Sequence, residues 1–201
     1  MKLKQIEKLC KEAGCVRLFD DFTVENVEDE EIRSGRQWMS DGTAAFPLDG
    51  LPYLDEVAVY AIFDVDAKKQ DKLVVGRKDA LPTWVSFDDL RADDVPLEAV
   101  RFRMSIGGHE LALFRDPDGG LVVIRADYKK PFDNWRECEC FKRMSTDGNP
   151  LVAVMSGCIL RGLIGTYVIS EDMVETLGAV YNAAGVALAE AKKKDEQDHE
   201  R

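Results

Sequence analysis

Length, composition and charge restrict the kind of protein that this chain can form. It has 201 residues, of which 45% are hydrophobic and 32% are charged, as in an ordinary globular protein. The formal net charge of −11 argues against a surface that coats nucleic acid or anionic membrane everywhere, but it is compatible with a local basic face.

The apolar runs and the cysteines indicate a cytoplasmic protein without membrane contact. No apolar run approaches the roughly 20 residues of a membrane span. Residues 1–14 space their lysines through an amphipathic pattern, whereas a signal peptide places its cations ahead of an apolar block. Five cysteines without framework spacing fit reduced thiols better than the disulfides of an exported domain.

Residues 1–95 are expected to form an α+β half with a helix, a hairpin, a second helix and short strands. Apolar residues at helical spacing, ended by Gly14, predict an N-terminal helix over residues 2–13. The acidic residues 21–35 are expected to be an exposed loop. Asp41-Gly42 lies between two strand-like segments and predicts a hairpin, and Pro52 is suited to the start of the middle helix.

Residues 96–170 are expected to form an antiparallel array of six hairpin-connected strands. Glycine, asparagine and aspartate supply the positive φ that tight turns need, so each cluster of these residues predicts a chain reversal. The clusters are Gly107-Gly108, Asp116-Pro117-Asp118-Gly119, Thr146-Asp147-Gly148-Asn149 and Ser156-Gly157.

A long C-terminal helix is predicted over residues 171–193, with a charged, disordered tail over residues 194–201. Ser170 is suited to cap this helix, whose apolar stripe is nearly heptad-like. Either the protein's own sheet or a second subunit is expected to pack on the stripe. The packing residues are Leu177, Gly178, Tyr181, Gly185 and Leu188. The predicted fold class is therefore α+β, with hairpin-rich antiparallel sheet and an N-terminal, a middle and a long C-terminal helix.

Catalytic and metal-binding patterns are weak in this sequence. Asp118 and Asp127 lie at opposite ends of a predicted strand, roughly 30 Å apart, which is too far for the acids of a metal-dependent nuclease. Cys138 and Cys140 lack the four ligands of a structural zinc site. There is no nucleophile elbow, phosphate loop, dinucleotide fingerprint or paired-histidine helix. We expect no catalytic residue, metal or cofactor. The alternative is a small enzyme whose Cys/His or carboxylate site, for instance around His109, forms only in the fold.

Residues 121–170 resemble the last repeat of a DNA polymerase sliding clamp. LVVIRA, Tyr128 with its neighbours, FKRMS, the Thr146-Asp147 turn, LVAVM and LIGTYVI follow that family's order of strand, tyrosine-containing helix, strand, turn, strand and closing strand. WMSDGTAAFPL, with the helix and strand that follow it, is similar to an earlier copy. The chain departs from the pattern in its length and in Pro131, which limits the helix.

The resemblance implies a noncatalytic processivity factor of DNA replication, built as a ring of several subunits around duplex DNA. Lysine-bearing helices would face the phosphates without reading sequence. The lysines that would face DNA are Lys4, Lys8, Lys11, Lys129 and Lys130, and solvated helix faces are the alternative for them. The implied partners are copies of this chain, duplex DNA and other replication or phage proteins.

QWMSDGTAAFPLDGLPYLDE is also similar to small acidic, uncharacterised proteins encoded by phages and prophages of Gram-positive bacteria. This similarity assigns no activity, but it favours an accessory role in DNA metabolism or host interaction over a metabolic one. A protein-interaction module without DNA contact is therefore a further alternative.

Overall fold

A computed structural model describes residues 1–27, 30–78 and 80–167. Its α-helices are α1, Leu3–Ala13, and α2, Glu56–Ile62. The strands are β1 Cys15–Val27, β2 Glu30–Ser40, β3 Ala44–Pro47, β4 Val74–Lys78, β5 Val95–Ile106, β6 His109–Arg115, β7 Leu121–Arg125, β8 Glu139–Met144, β9 Pro150–Ser156 and β10 Ile159–Gly165. Short 3₁₀ segments occupy Ala67–Lys72, Ala126–Lys129 and Trp135–Glu137. No described helix is both long enough and apolar enough to cross a membrane.

The prediction of an α+β fold is wrong, because the described residues are mostly one ten-stranded sheet. Their α-helices comprise only 11 and 7 residues. The largest error is the acidic segment 21–35, which forms strands instead of a loop: β1 and β2 pair from Arg17 opposite Ser40 to Val27 opposite Glu30. Ladder hydrogen bonds join backbone groups, so an acidic composition does not prevent them. The C-terminal helix predicted over 171–193 and the tail at 194–201 lie outside the described residues.

The sheet runs in the order β4-β1-β2-β3-β10-β9-β8-β5-β6-β7. All of its neighbouring strands are antiparallel except β1 and β4, which are parallel. The pairing of Ala45 in β3 with Leu163 in β10 connects the strands of the N-terminal region to those that follow residue 95. Residues Met1–Tyr167 accordingly form one compact unit.

The central strands are buried on both faces of the sheet. In β9, Val152 and Val154 belong to one hydrophobic cluster, while Leu151, Ala153 and Met155 belong to a second. This alternation follows from the two-residue period of a strand. The first cluster includes the apolar faces of α1 and α2, and the second is covered by residues Val85 and Phe87 of the connection between β4 and β5.

A buried guanidinium attaches that connection to the sheet. Arg143 of β8 is only 1% exposed, and its Nε and Nη2 donate to the Asp94 carboxylate at 2.8 and 2.6 Å. Its remaining hydrogen bonds reach the backbone oxygens of Ser86, Asp88 and Asp89. Burial alone would raise the pKa of Asp94, but the hydrogen bonds from Arg143 outweigh this effect and hold that pKa below its ordinary value.

We predict that Asp94→Asn lowers the free energy of unfolding at pH 7 by about 3 kcal/mol, because Arg143 is left buried without a counter-charge. The pKa of Asp94 is lower in the folded protein than in the unfolded chain. Its ionised carboxylate therefore contributes fully to the free energy of unfolding above the unfolded-state pKa of about 3.9, and this contribution is lost as pH falls through the folded-state pKa. The difference between wild type and variant should therefore shrink below about pH 4. Urea unfolding of both proteins across pH measures this difference.

The control is Asp93→Asn, which removes an exposed ion pair with Arg91 and should lower the free energy of unfolding by less than about 1 kcal/mol. Equal losses in the two variants would contradict the prediction.

Candidate functional site

The outer face of α1 carries three of the lysines predicted to face DNA. Lys4, Lys8 and Lys11 are exposed and follow one another at helical spacing. Ile6, Leu9 and Cys10 occupy the opposite side of the helix and are buried against the sheet. Burial of this apolar stripe orients the helix, so that Lys4 and Lys8 point away from the core. The Lys11 ammonium donates a hydrogen bond to the Phe63 backbone oxygen at 2.6 Å.

The other two predicted lysines lie in the segment that packs against the amino end of α1. The backbone N–H of Lys2 donates to the Pro131 oxygen at 2.7 Å, and the Lys2 ammonium donates to the Phe132 oxygen at 3.3 Å. These bonds place Lys129 and Lys130 beside the start of the helix. A surface hollow of about 420 Å³ is lined there by Lys2, Gln5, Lys129, Lys130, Asp133 and Arg136, among others.

The lysines differ in how far they are neutralised by neighbouring acids. Lys11 forms an ion pair with Glu7 at 2.6 Å, and Lys130 forms one with Asp127. Lys4 and Lys8 form no ion pair with any residue that the structure describes. We name Lys4, Lys8, Lys11, Lys129 and Lys130, together with Lys2 and Arg136, the lysine face. Lys4 and Lys8 are thus exposed cations of the lysine face whose charge no described acid neutralises.

The residues predicted to pack the C-terminal helix all lie outside the described residues, namely Leu177, Gly178, Tyr181, Gly185 and Leu188. The tyrosine-containing helix implied by the clamp resemblance is a single 3₁₀ turn, Ala126–Lys129.

Tyr128 in that turn has a structural role. Its hydroxyl donates to the Asp41 carboxylate at 3.0 Å, while the backbone N–H groups of Thr43 and Ala44 donate to the other Asp41 oxygen at 2.9 and 2.8 Å. Burial, with a smaller contribution from the negative charge of Asp41, raises the pKa of Tyr128 to about 12. Tyr128 therefore stays protonated, and its hydrogen bond to Asp41 links the turn between β2 and β3 to the segment beside α1.

Cys140 and His109, a thiol and the histidine of the enzyme alternative, do not form a reactive pair. Cys140 lies opposite Leu97 of β5, whereas His109 lies opposite Ile106 at the other end of the same strand. Burial raises the pKa of Cys10, and it raises that of Cys140 to about 12. A nucleophilic cysteine needs the opposite shift. Among the described residues, no group of three His, Cys, Asp or Glu side chains is placed to bind a metal ion.

An apolar groove across the other face of the sheet was not predicted from the sequence. It encloses about 760 Å³ between a floor of strands and a wall formed by part of the connection from β4 to β5. The floor includes Ala45 and Leu163, and the wall includes Leu81, Pro82 and Trp84. The available signal was the apolar stretch Ala80-Leu81-Pro82, with Trp84 just after it. Thr83 and Trp84 form a turn.

No protein family, curated protein or solved structure matches this chain. The function is therefore inferred from the lysine face, together with the resemblance of residues 121–170.

The thiols give a direct test of the enzyme alternative. We predict that the exposed Cys158 reacts first with an aromatic disulfide reagent at pH 8, whereas Cys10 and Cys140 react only after the protein is unfolded, because burial raises their pKa values. The released chromophore is followed by absorbance. Cys158→Ser should remove the fast phase, and Cys140→Ser should leave it unchanged. A fast-reacting thiolate at Cys140 would favour the enzyme alternative.

Proposed function

We propose that this protein is a noncatalytic accessory factor that contacts the backbone of duplex DNA, as the resemblance to sliding clamps implies. The observation that supports this function most directly is the position of the lysines named from the sequence. Three lie on the outer face of α1, and two lie in the segment hydrogen-bonded to the amino end of that helix. Residues far apart in the chain thus contribute to the lysine face.

The distribution of charge also supports phosphate contact. The chain as a whole carries a net charge of −11, yet cations outnumber acids in the hollow beside α1. Lys4 and Lys11 are separated by about 10 Å along the helix axis. That distance covers several phosphates of one strand, which succeed one another at about 3.4 Å of axial rise. Contacts between lysine side chains and backbone phosphates provide affinity without sequence specificity.

The environment of the thiols supports binding without covalent chemistry. Burial raises the pKa values of Cys10 and Cys140, so these thiols remain protonated at neutral pH. The other polar side chains with raised or lowered pKa values are used in structural hydrogen bonds, as Asp94 is with Arg143 and Tyr128 is with Asp41.

We predict that the protein binds short linear duplexes of unrelated sequence with equal affinity, and that Lys4→Gln with Lys8→Gln weakens binding to all of them alike. Removing two phosphate contacts should reduce the slope of log affinity against log salt by about two. Fluorescence anisotropy at several salt concentrations measures both quantities.

The matched control for these lysines is Lys68→Gln with Arg101→Gln. It removes the same number of cations at exposed positions outside α1. Affinity and salt slope should stay close to those of the wild type. Equal weakening by both double variants would mean that only net charge matters, and the lysine face would then not be the DNA-contacting surface.

We further propose that several copies of the protein form a closed ring around duplex DNA. We predict that light scattering gives a mass several times that of one chain, and that the protein, once loaded on circular duplex DNA, survives a high-salt wash that removes it from linear DNA. Retention that depends on a closed circle is the property of topological linkage. A strict monomer at high concentration would contradict the ring, while the lysine variants would still decide whether the face contacts DNA.

A further inference from the structure

The groove lies on the face of the sheet opposite α1. Successive side chains of β1 point to alternate faces, so Leu18 contributes to the core cluster that contains α1, whereas Arg17 and Phe19 line the groove. The groove is therefore separate from the lysine face, and its occupant need not be the partner of that face.

The two ends of the groove differ in chemistry. At the end formed by β1 and β4, Arg17 lies opposite Gly76, and Phe19 lies opposite Lys78. At the other end, the floor is formed by apolar residues of β3, β10 and β9, namely Ala45, Leu163 and Leu151. From β4 to β9 the sheet makes five strand spacings, or about 24 Å. The groove is thus long, cationic at one end and apolar at the other.

Arg17 and Lys78, the two cations at this end, form no ion pair with an acidic residue in the part of the chain that the structure describes. None of the described residues that line the groove is aspartate or glutamate. In a chain with 38 acidic residues against 27 lysines and arginines, two unpaired cations beside an open apolar surface favour an anionic ligand.

The apolar surface of the groove is exposed to a degree that needs an explanation. Trp84 is 45% exposed and Val74 is 68% exposed, and both line it. A volume of about 760 Å³ is within the range of small-molecule sites, which are mostly apolar with a few polar groups that set orientation. The space above Gly76 is open, since a Cβ built there has no neighbour within 4 Å.

We propose that this groove binds a fatty carboxylate. The carboxylate lies between Arg17 and Lys78, and the acyl chain extends across β1 and over Ala45 and Leu163. A neutral or cationic head would leave Arg17 and Lys78 without a counter-charge, and a short acid would leave the exposed side chains of Trp84 and Val74 uncovered. The groove therefore selects for a negative head and a long tail together.

The test is calorimetric titration of the full chain with dodecanoate, kept below the concentration at which it forms micelles. We expect saturable binding at one site, accompanied by a change in Trp84 fluorescence that Trp84→Phe removes. Dodecyltrimethylammonium has the same tail with a cationic head, and butanoate has the same head without the tail. Each should bind at least tenfold more weakly than dodecanoate.

Two variants locate the site. Gly76→Leu places a side chain in the open space of the groove and should abolish binding, whereas Ala99→Leu, at an exposed position of β5, should leave it unchanged. Arg17→Gln with Lys78→Gln should weaken binding at least tenfold, and this variant decides the matter if Gly76→Leu does not fold. No saturable binding of dodecanoate, equal binding of dodecyltrimethylammonium, or full binding by both groove variants would overturn the proposal.

Discussion

The second face of the sheet depends on one buried ion pair. The guanidinium N–H groups of Arg143 donate to the Asp94 carboxylate and to three backbone oxygens. Arg143 is only 1% exposed, and its hydrogen-bond donors are satisfied within the protein. Taking both charges out of water is costly, and the pair is stabilising only because its geometry is complete. It fixes a connection that has no regular secondary structure. That connection carries Val85 and Phe87 onto the core and provides the wall of the groove.

The sequence predicted those features whose cause is local. Gly14 ends α1 with φ of 69°, and Gly107, Gly148 and Gly157 turn the chain at positive φ, as their positions between strand-like segments indicated. Features caused by distant contacts were not predictable. No local signal pairs β3 with β10, more than 100 residues later, and no signal near Trp84 indicates that Arg143 will hold that connection. Five lysines of the lysine face could be named from the resemblance, but Lys2 and Arg136 could not, and the groove requires strands from both regions.

The turns of the sheet bear on the resemblance to a repeated clamp unit. The turns that begin at Asp116 and at Ser145 have the same pair of hydrogen bonds. The side chain of the first residue accepts from the backbone N–H four positions later, and the backbone N–H of the first residue donates to the backbone oxygen of that later residue. The Asp41 turn is shorter, with bonds to the second and third residues after it. Asp41-Gly42 and Asp147-Gly148 are therefore not equivalent reversals. The proposed DNA contact is supported by the lysines and not by an internal duplication.

Strand β1 connects the two proposed surfaces and also keeps them apart. Its even-numbered residues Val16 and Leu18 support the helix that carries Lys4 and Lys8, and its odd-numbered residues Arg17 and Phe19 form the groove floor. Side chains on opposite faces of one strand share no contacts, so a substitution on one face reaches the other only through the backbone. The ladder that pairs β1 with β2 and β4 resists such backbone movement. Occupancy of the groove should consequently leave the lysine face unchanged, and binding at one surface is expected to be thermodynamically independent of binding at the other.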